Sequence, residues 1–490
     1  MVRGLTAQCT TQWLPWPGAA LNGTVAGLTT LPNGDLVVGG YFTTAGTAGV
    51  NHIAQWDGAA WSPFSSGMSH PSGAHVYGLT TLPNGDLVAV GGFATAGGTP
   101  ANHIARWNGS SWAPIGSGTN DWINVVATQP NGDLVVCGGF TTAGGVPANR
   151  IARWNGTAWS SLGTGMTGYV VALTTLPNGD LVAGGYFATA GGVPANCVAR
   201  WNGTAWSPLG TGVSGSILAD VQALTTLPNG DVVAGGSFTI AGGVPASRIA
   251  RWDGTAWSPL GSGVNSHVQS LTTLPNGDVV AGGSFTIAGG VPANRIARWN
   301  GTAWSPFGVG MNGLPSVSVL AMTTLANGDV VTGGYFTTAG GNASPYLASL
   351  TTTCPATAVA SGTGCAGTGG SMVLAATALP WLGGTYRSRC TGMAPSSLGV
   401  GVFGFAAQST PLSTLHPAGG PGCDLLVAAD VLTLAVPNAG AVNLQFVVPA
   451  TPALVGAAFR NQVVQVELGP GAAITWLGSS NALVLTTGVF

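Results

Sequence analysis

Residues 271–308 read LTTLPNGDVVAGGSFTIAGGVPANRIARWNGTAWSPFG. Four short apolar runs, labelled a to d, are separated by turn chemistry. Run a, Leu271–Leu274, leads into Pro-Asn-Gly, where Asn-Gly supplies the positive φ angles of a tight hairpin. Run b, Asp278–Phe285, is rich in Val and Gly, a composition that suits a strand and not a helix. Ala288–Ala293 reads as a longer loop. Run c, Arg295–Trp299, passes through a second Asn-Gly into run d, Ala303–Phe307.

The unit recurs seven times. Its Asn-Gly-Asp block ends at Asp35, Asp86, Asp133, Asp180, Asp231, Asp278 and Asp329, in steps of 47 or 51 residues. Four strands at a period of roughly 40–50 residues mark a β-propeller, whereas helical repeats need a 3.6-residue periodicity that these units lack. Seven copies predict an all-β, seven-bladed β-propeller; the competing reading is an open β-solenoid. Six units carry a Trp pair five residues apart, from Trp56/Trp61 to Trp299/Trp304. A two-residue loop makes the paired rings diagonal cross-strand neighbours on one face, buried against the next blade. Tryptophan stripes can bind sugar, but a pair repeated in blade after blade reads as core. The Asp after each Asn-Gly opens strand b opposite the end of strand c. Arg106, Arg153, Arg200, Arg251 and Arg298 fall there, which predicts an Asp–Arg pair inside each of those blades. Gln55 and Ser349 replace the arginine in blades one and seven.

The seventh copy has runs a to c in residues 320–352, but no Trp-Asn-Gly-Thr-Ala-Trp hairpin follows. The missing run stands at the other end of the chain, where Trp13-Leu-Pro-Trp-Pro-Gly matches Trp-Ser-Pro-Leu-Gly of complete units. The N-terminal strand is therefore expected to close the ring and hide two open sheet edges. Aligned on the third unit, Cys9 and Cys354 flank a tight turn, at a separation of roughly 5–7 Å that overlaps disulfide geometry. A Cys9–Cys354 bridge is expected in place of the missing covalent turn.

The motif NGD-[LV]-V-x-G-G-x-F…R-I-A-R-W-[ND]-G-x-x-W resembles the delta-60 type of bacterial propeller repeat and the repeat of fungal cortical polarity-marker proteins. The resemblance covers roughly residues 13–350 and implies a surface or secreted propeller, with no shared catalytic residues. Past residue 353 the repeat stops. Residues 354–490 are similar to the C-terminal module of secreted planctomycete proteins, through Gly-Thr-Gly-Cys (to Cys365), Pro-Gly-Cys (to Cys423) and residues 448–456. Alternation in 443–448 and 462–468 suits a β-sandwich-like domain. That resemblance implies a Cys365–Cys423 bridge with Cys390 free; three cysteines allow three single pairings.

Only 5% of the 490 residues are charged, lysine is absent, Glu467 is the single glutamate, and the formal net charge is −2. Such a chain lacks the basic patches that nucleic acid and anionic membranes require. Its weak charge repulsion also tolerates self-association. Mean hydropathy is +0.38, yet no window of about 20 continuous apolar residues reads as a span. Residues 1–9 lack the pattern of a secretion signal.

Cofactor, metal and catalytic constellations are not expected. Single aspartates supply too few oxygens for calcium. His52 and His103 occupy the place held elsewhere by Arg150, Cys197, Arg248, Arg295 and Tyr346, and read as exposed loop-edge residues. His70, His75 and His267 read as solvated loop residues. The two Asn-Gly turns share one rim, while the b–c loops and the variable d–a connections share the other. There Trp122, Asp121, Tyr169, Asp220 and His70 are the candidate ligand-binding residues. The expected function is a non-catalytic extracellular or cell-surface structural protein, displayed or polymerised with copies of itself. The alternative is a propeller binding a surface glycan or protein through that rim.

Overall fold

The computed structural model describes residues 10–18, 20–274, 277–313, 315–325, 329–353, 357–367, 369–378, 385–394, 396–421, 423–438, 440–449 and 457–487. They form two compact units: Gln12–Thr351, and Thr352–Phe490 with Met1–Thr11. The sequence predicts the boundary at 353/354; the structure puts it at Thr351/Thr352.

The larger unit is all-β and propeller-like. Among the described residues it holds seven four-stranded antiparallel sheets. In the first, strands a (Val25–Thr30), b (Leu36–Gly40), c (Ile53–Trp56) and d (Trp61–Pro63) pair in that order. Strand b is buried at every residue because it lies between two neighbouring sheets, which explains its unbroken apolar run. Gly39 faces Val76 of the second sheet so closely that a Cβ would stand 2.5 Å from a Val76 methyl. Gly333 of the seventh sheet meets Val25 of the first in the same way, at 2.3 Å. The first and last sheets also share one core, in which Val25, Leu36 and Val38 pack with Val331 and Leu347. The ring is closed by packing.

The seventh sheet takes strands a to c from Ser318–Thr324, Val330–Tyr335 and Leu347–Thr353, and its fourth strand is Thr10–Pro15. Trp13 is buried, and its indole Nε1 donates to the carbonyl of Phe307 at 2.7 Å. Trp304 does the same to Leu260, and Trp112 to Phe64. Trp13 thus reproduces the joint between consecutive sheets. Cys9 and Cys354 lie outside the described residues.

Two local expectations are corrected. In Leu31-Pro32-Asn33-Gly34-Asp35 only Gly34 has positive φ (93°), and Gly34 N donates to Leu31 O at 2.9 Å. This is a type I turn with Pro at its second position, followed by a left-handed Gly, not a two-residue primed turn. Asn33 instead ties its amide to Asp35 Oδ2 at 2.8 Å. The c–d turn has four residues, with Asp57 Oδ1 accepting from the Ala59 and Ala60 amides, so Trp56 and Trp61 stand directly opposite each other, not diagonally.

Ion pairs join Asp86–Arg106, Asp133–Arg153, Asp180–Arg200, Asp231–Arg251 and Asp278–Arg298. The aspartates are nearly buried and the arginines half exposed, so each pair is worth about 1 kcal/mol or less. In the first sheet Gln55 donates to Asp35 in the arginine's stead, and in the seventh Thr351 donates to Asp329.

In the smaller unit, one sheet orders Thr357–Ser361, Ala482–Thr486, Ala458–Leu468, Ser397–Gly404 and Val431–Ala435, with Ile474–Ser479 also pairing Ala458–Leu468. A second sheet contains Val373–Ala378, Thr385–Thr391 and Ala441–Val447. Leu374, Tyr386, Val442 and Leu444 of the second meet Phe403, Phe459, Val463 and Leu485 of the first in one core. Asn461 sits inside it fully buried, accepting from Tyr386 and Ser388 and donating to Val402 O, so its polar atoms are matched. Cys365 and Cys423 form a disulfide with Cα atoms 5.3 Å apart. Cys390 is a free, buried thiol, and burial pushes it up to about 12.

Candidate functional site

The b–c loops fold into two-residue ribbons, and the d–a connections pair with some of them. Thr95–Ala96 pairs with Thr99–Pro100 and also with Met68–Ser69 from the preceding connection. Val213–Ser214 and Met311–Asn312 pair with the next ribbon likewise. Both kinds of segment therefore meet on one rim. Two repeat positions there face each other in every sheet: the residue at or just before the start of strand a, and the residue before the Phe that follows strand b. The pairs are Thr24/Tyr41, His75/Gly92, Trp122/Gly139, Tyr169/Tyr186, Asp220/Ser237, His267/Ser284 and Ser318/Tyr335. The surrounding scaffold repeats almost unchanged, while these positions alternate between aromatic, acidic, hydroxyl and Gly.

Three of the five predicted site residues share one of these columns. Trp122 is 42% exposed, and its indole lies over Gly139, where a Cβ would come within 3.0 Å of Nε1. Tyr169 is 48% exposed and lies beneath the Arg150 guanidinium, 5.9 Å from ring centroid to Cζ. Asp220 is tied into the scaffold, its carboxylate accepting from Ser237 N at 2.9 Å and Gln222 Nε2 at 2.8 Å. Asp121 accepts from the Trp122 amide at 2.8 Å. His70 closes its own turn, with Nδ1 against Ser72 Oγ at 2.7 Å. The five are spread over four successive sheets, with Asp121 and Trp122 side by side, and do not converge on one point.

The histidines depart from expectation. His52, His75 and His103 are half-buried, and each has a buried ring nitrogen without a hydrogen-bond partner. His75 begins strand a and stacks on Tyr41 at 4.9 Å and against Tyr77 at 4.4 Å. Tyr41 Oη and Tyr77 Oη are hydrogen-bonded at 2.7 Å, and burial with that bond raises the Tyr41 phenol. Periodicity does not bring Tyr41 to His75 and Tyr77, because they come from different units. Burial lowers all three imidazoles below the ordinary 6.5, and nearby His52, His70 and His103 lower His75 further. The folded state then binds fewer protons than the unfolded chain, so stability is lost as pH falls from about 6.5 through the lowered folded values. The unfolding temperature is expected to drop between pH 7 and 5. The His52→Asn/His75→Asn/His103→Asn variant should show a shallower drop; identical slopes would refute the assignment.

A third column is strained. His52, His103, Arg150, Cys197, Arg248, Arg295 and Tyr346 all have positive φ, between 64° and 74°. Each precedes strand c, with its amide held by the carbonyl of the Phe that follows strand b, as in His52 N to Phe42 O at 2.7 Å. A left-handed backbone costs a side-chain-bearing residue about 1 kcal/mol or more, which Gly would avoid. Seven units nonetheless carry a side chain here.

Two of the cavities in this unit bear on the site. One, of about 500 Å³, is lined by the strands a of all seven sheets and has Tyr41 and Tyr77 among its walls. The other, of about 620 Å³, is a cleft on the rim between Arg150, Tyr169, Tyr186, Cys197 and the loop Ser214–Ala219. Among the described residues no group of three or more His, Cys, Asp or Glu is arranged to hold a metal ion. No helix among them is long and apolar enough to cross a membrane.

The repeat itself has a known likeness. Residues 129–156, 176–203 and 274–301 match a β-propeller family of unknown function, DUF5122. Each matched segment runs from just before or at the a–b turn through strands b and c to the c–d turn. No curated protein matches the chain. Among solved structures, the WD40 β-propeller domain of Doa1 is 13% identical, with a TM-score of 0.45, covering 70% of this chain and 97% of that one. The extracellular domain of a hybrid two-component system, BT4673 of B. thetaiotaomicron, is 9% identical with a TM-score of 0.44. That match covers 98% of this chain and 59% of the other.

Proposed function

We propose that this chain is a non-catalytic extracellular recognition protein: a seven-bladed β-propeller closed by its N-terminal strand, carrying a β-sandwich-like C-terminal domain. On this reading the repeats are of the delta-60 type and the second domain is the planctomycete-like module. One observation carries the function. Chemically diverse and partly exposed side chains are gathered at three repeat columns of one rim, one column at a standing backbone cost, on a scaffold otherwise almost invariant. Binding residues are characteristically placed this way, on variable edges of rigid frames. A disulfide suits an oxidising, extracellular compartment.

The test is binding of the full chain to glycan and extracellular-protein arrays. Trp122→Ala and Tyr169→Ala should abolish the signals, while Thr204→Ala in a c–d turn should not. Signals indifferent to the rim, or none at all, would remove this reading.

Self-assembly is favoured by a different feature. Val431–Ala435 ends the order of its sheet and pairs with Ser397–Gly404 alone among the described residues. Leu432 and Leu434 on it are 60% and 70% exposed. Apolar edges without a guarding lysine invite pairing with a second copy. Sedimentation should show concentration-dependent association that Leu432→Lys/Leu434→Lys abolishes. A wild-type chain that stays monomeric throughout would exclude assembly by this edge.

A further inference from the structure

We infer that the rim cleft between the fourth and fifth sheets binds an anionic sugar, a hexuronate unit of a surface polysaccharide; this rests on the recognition reading above. Its volume of about 620 Å³ lies within the roughly 300–1,000 Å³ usual for small-ligand sites. Among the described residues lining it, Arg150 bears the only formal charge, so the electrostatics select an anion.

The Arg150 Nε is shielded from solvent and has no hydrogen-bond partner, a state it shares with Arg295 Nε at the same repeat position. At the same repeat position, Arg248 donates from its guanidinium to Val264 O at 3.4 Å. Arg150 makes no such internal bond and is held over the Tyr169 ring instead. A carboxylate in the cleft can take the terminal nitrogens of this guanidinium, in the planar, two-pronged geometry it prefers.

The rest of the cleft suits a pyranose ring. Tyr169 and Tyr186 are direct cross-strand partners, so their rings project from the same face of the sheet. They are 48% and 51% exposed, leaving apolar faces free for sugar C–H groups and hydroxyls free at the edge. Ser214 and Ser216 of the neighbouring loop add hydroxyls on the opposite wall. Asp220, the nearest carboxylate of that loop, does not line the cleft and accepts from Ser237 and Gln222, although its charge reaches Cys197 on the cleft wall.

The deciding experiment is calorimetric titration of the full chain with trigalacturonate and with its methyl ester, which removes the charge and keeps the ring. The acid is expected to bind about tenfold or more tightly than the ester, the scale of a charge-assisted hydrogen bond. Arg150→Gln should erase that preference, Arg150→Lys should keep part of it, and Tyr169→Ala should weaken both ligands, with unfolding temperatures confirming intact folds. Equal binding of acid and ester, or a preference that survives Arg150→Gln, overturns the anionic assignment while leaving rim recognition standing. Binding of neither oligomer overturns the sugar assignment, and the array experiment then judges the recognition reading separately.

Discussion

Replacing Trp13 with Ala is expected to destabilise the larger unit by about 3–5 kcal/mol, the cost of deleting a buried indole. Trp13 packs with Phe307, Met311, Phe336 and Leu350, and its Nε1 bonds to Phe307 O. It is the joint through which the fourth strand of the seventh sheet grips the sixth. Truncation leaves a cavity there and an orphaned carbonyl. Urea denaturation measures the loss, and Trp112→Ala in the second sheet supplies the comparison, since Trp112 makes the same bond to Phe64 O. The two losses should be similar. Hydrogen exchange should also rise in Leu347–Thr353, which then lacks a secure neighbour. An unchanged denaturation midpoint for Trp13→Ala would mean that the N-terminal strand contributes nothing to closure.

The Cys365→Ser/Cys423→Ser variant is expected to lose about 4 kcal/mol from the smaller unit. The bridge spans 58 residues, and the chain-entropy cost of leaving such a loop open is of that size. The bridge also pins the segment holding Cys423 and Leu412 against Leu477 and Trp476, a satellite of the main core. Exchange protection along Ala458–Leu468 reports on that unit directly and should fall by several orders of magnitude. Cys390→Ser should behave differently, because it places a hydroxyl at a fully buried position inside the two-sheet core. Protection unchanged in the double variant would show that the bridge does not stabilise this unit.

The architecture of the larger unit was legible along the chain because its determinants are local. Pro-Asn-Gly, the Val-Gly-Gly run and the Trp pair each reside within a few residues and recur at a fixed period. Even the closing strand could be found, since Trp13-Leu-Pro-Trp copies the pattern of Trp304-Ser-Pro-Phe. Finer turn geometry was not legible. Asn-Gly is compatible with more than one hairpin, and the choice at Leu31–Asp35 depends on Pro32 and on where Asn33 sends its amide.

The rim divides in the same way. Trp122 and Tyr169 stand out in sequence because they fall in variable connections. Tyr186 does not, since it sits inside the constant Gly-Gly-x-Phe motif; only alignment of the seven copies exposes that x varies among Tyr, Gly and Ser. Folding alone places Tyr41, His75 and Tyr77 against one another, and Arg150 over Tyr169. Tyr41 comes from a different unit than His75 and Tyr77, as Arg150 does from Tyr169, so no local periodicity links those partners; only His75 and Tyr77 are neighbours on one strand. Repeat number, strand order and the material of the core follow from residue order, because a β-propeller is built from short-range pairings. Which side chains share the rim, which imidazoles lose their water and which guanidinium nitrogens are left without a partner are fixed by the packing of each sheet on the next. That packing brings side chains of neighbouring units within contact distance and removes the solvent between them.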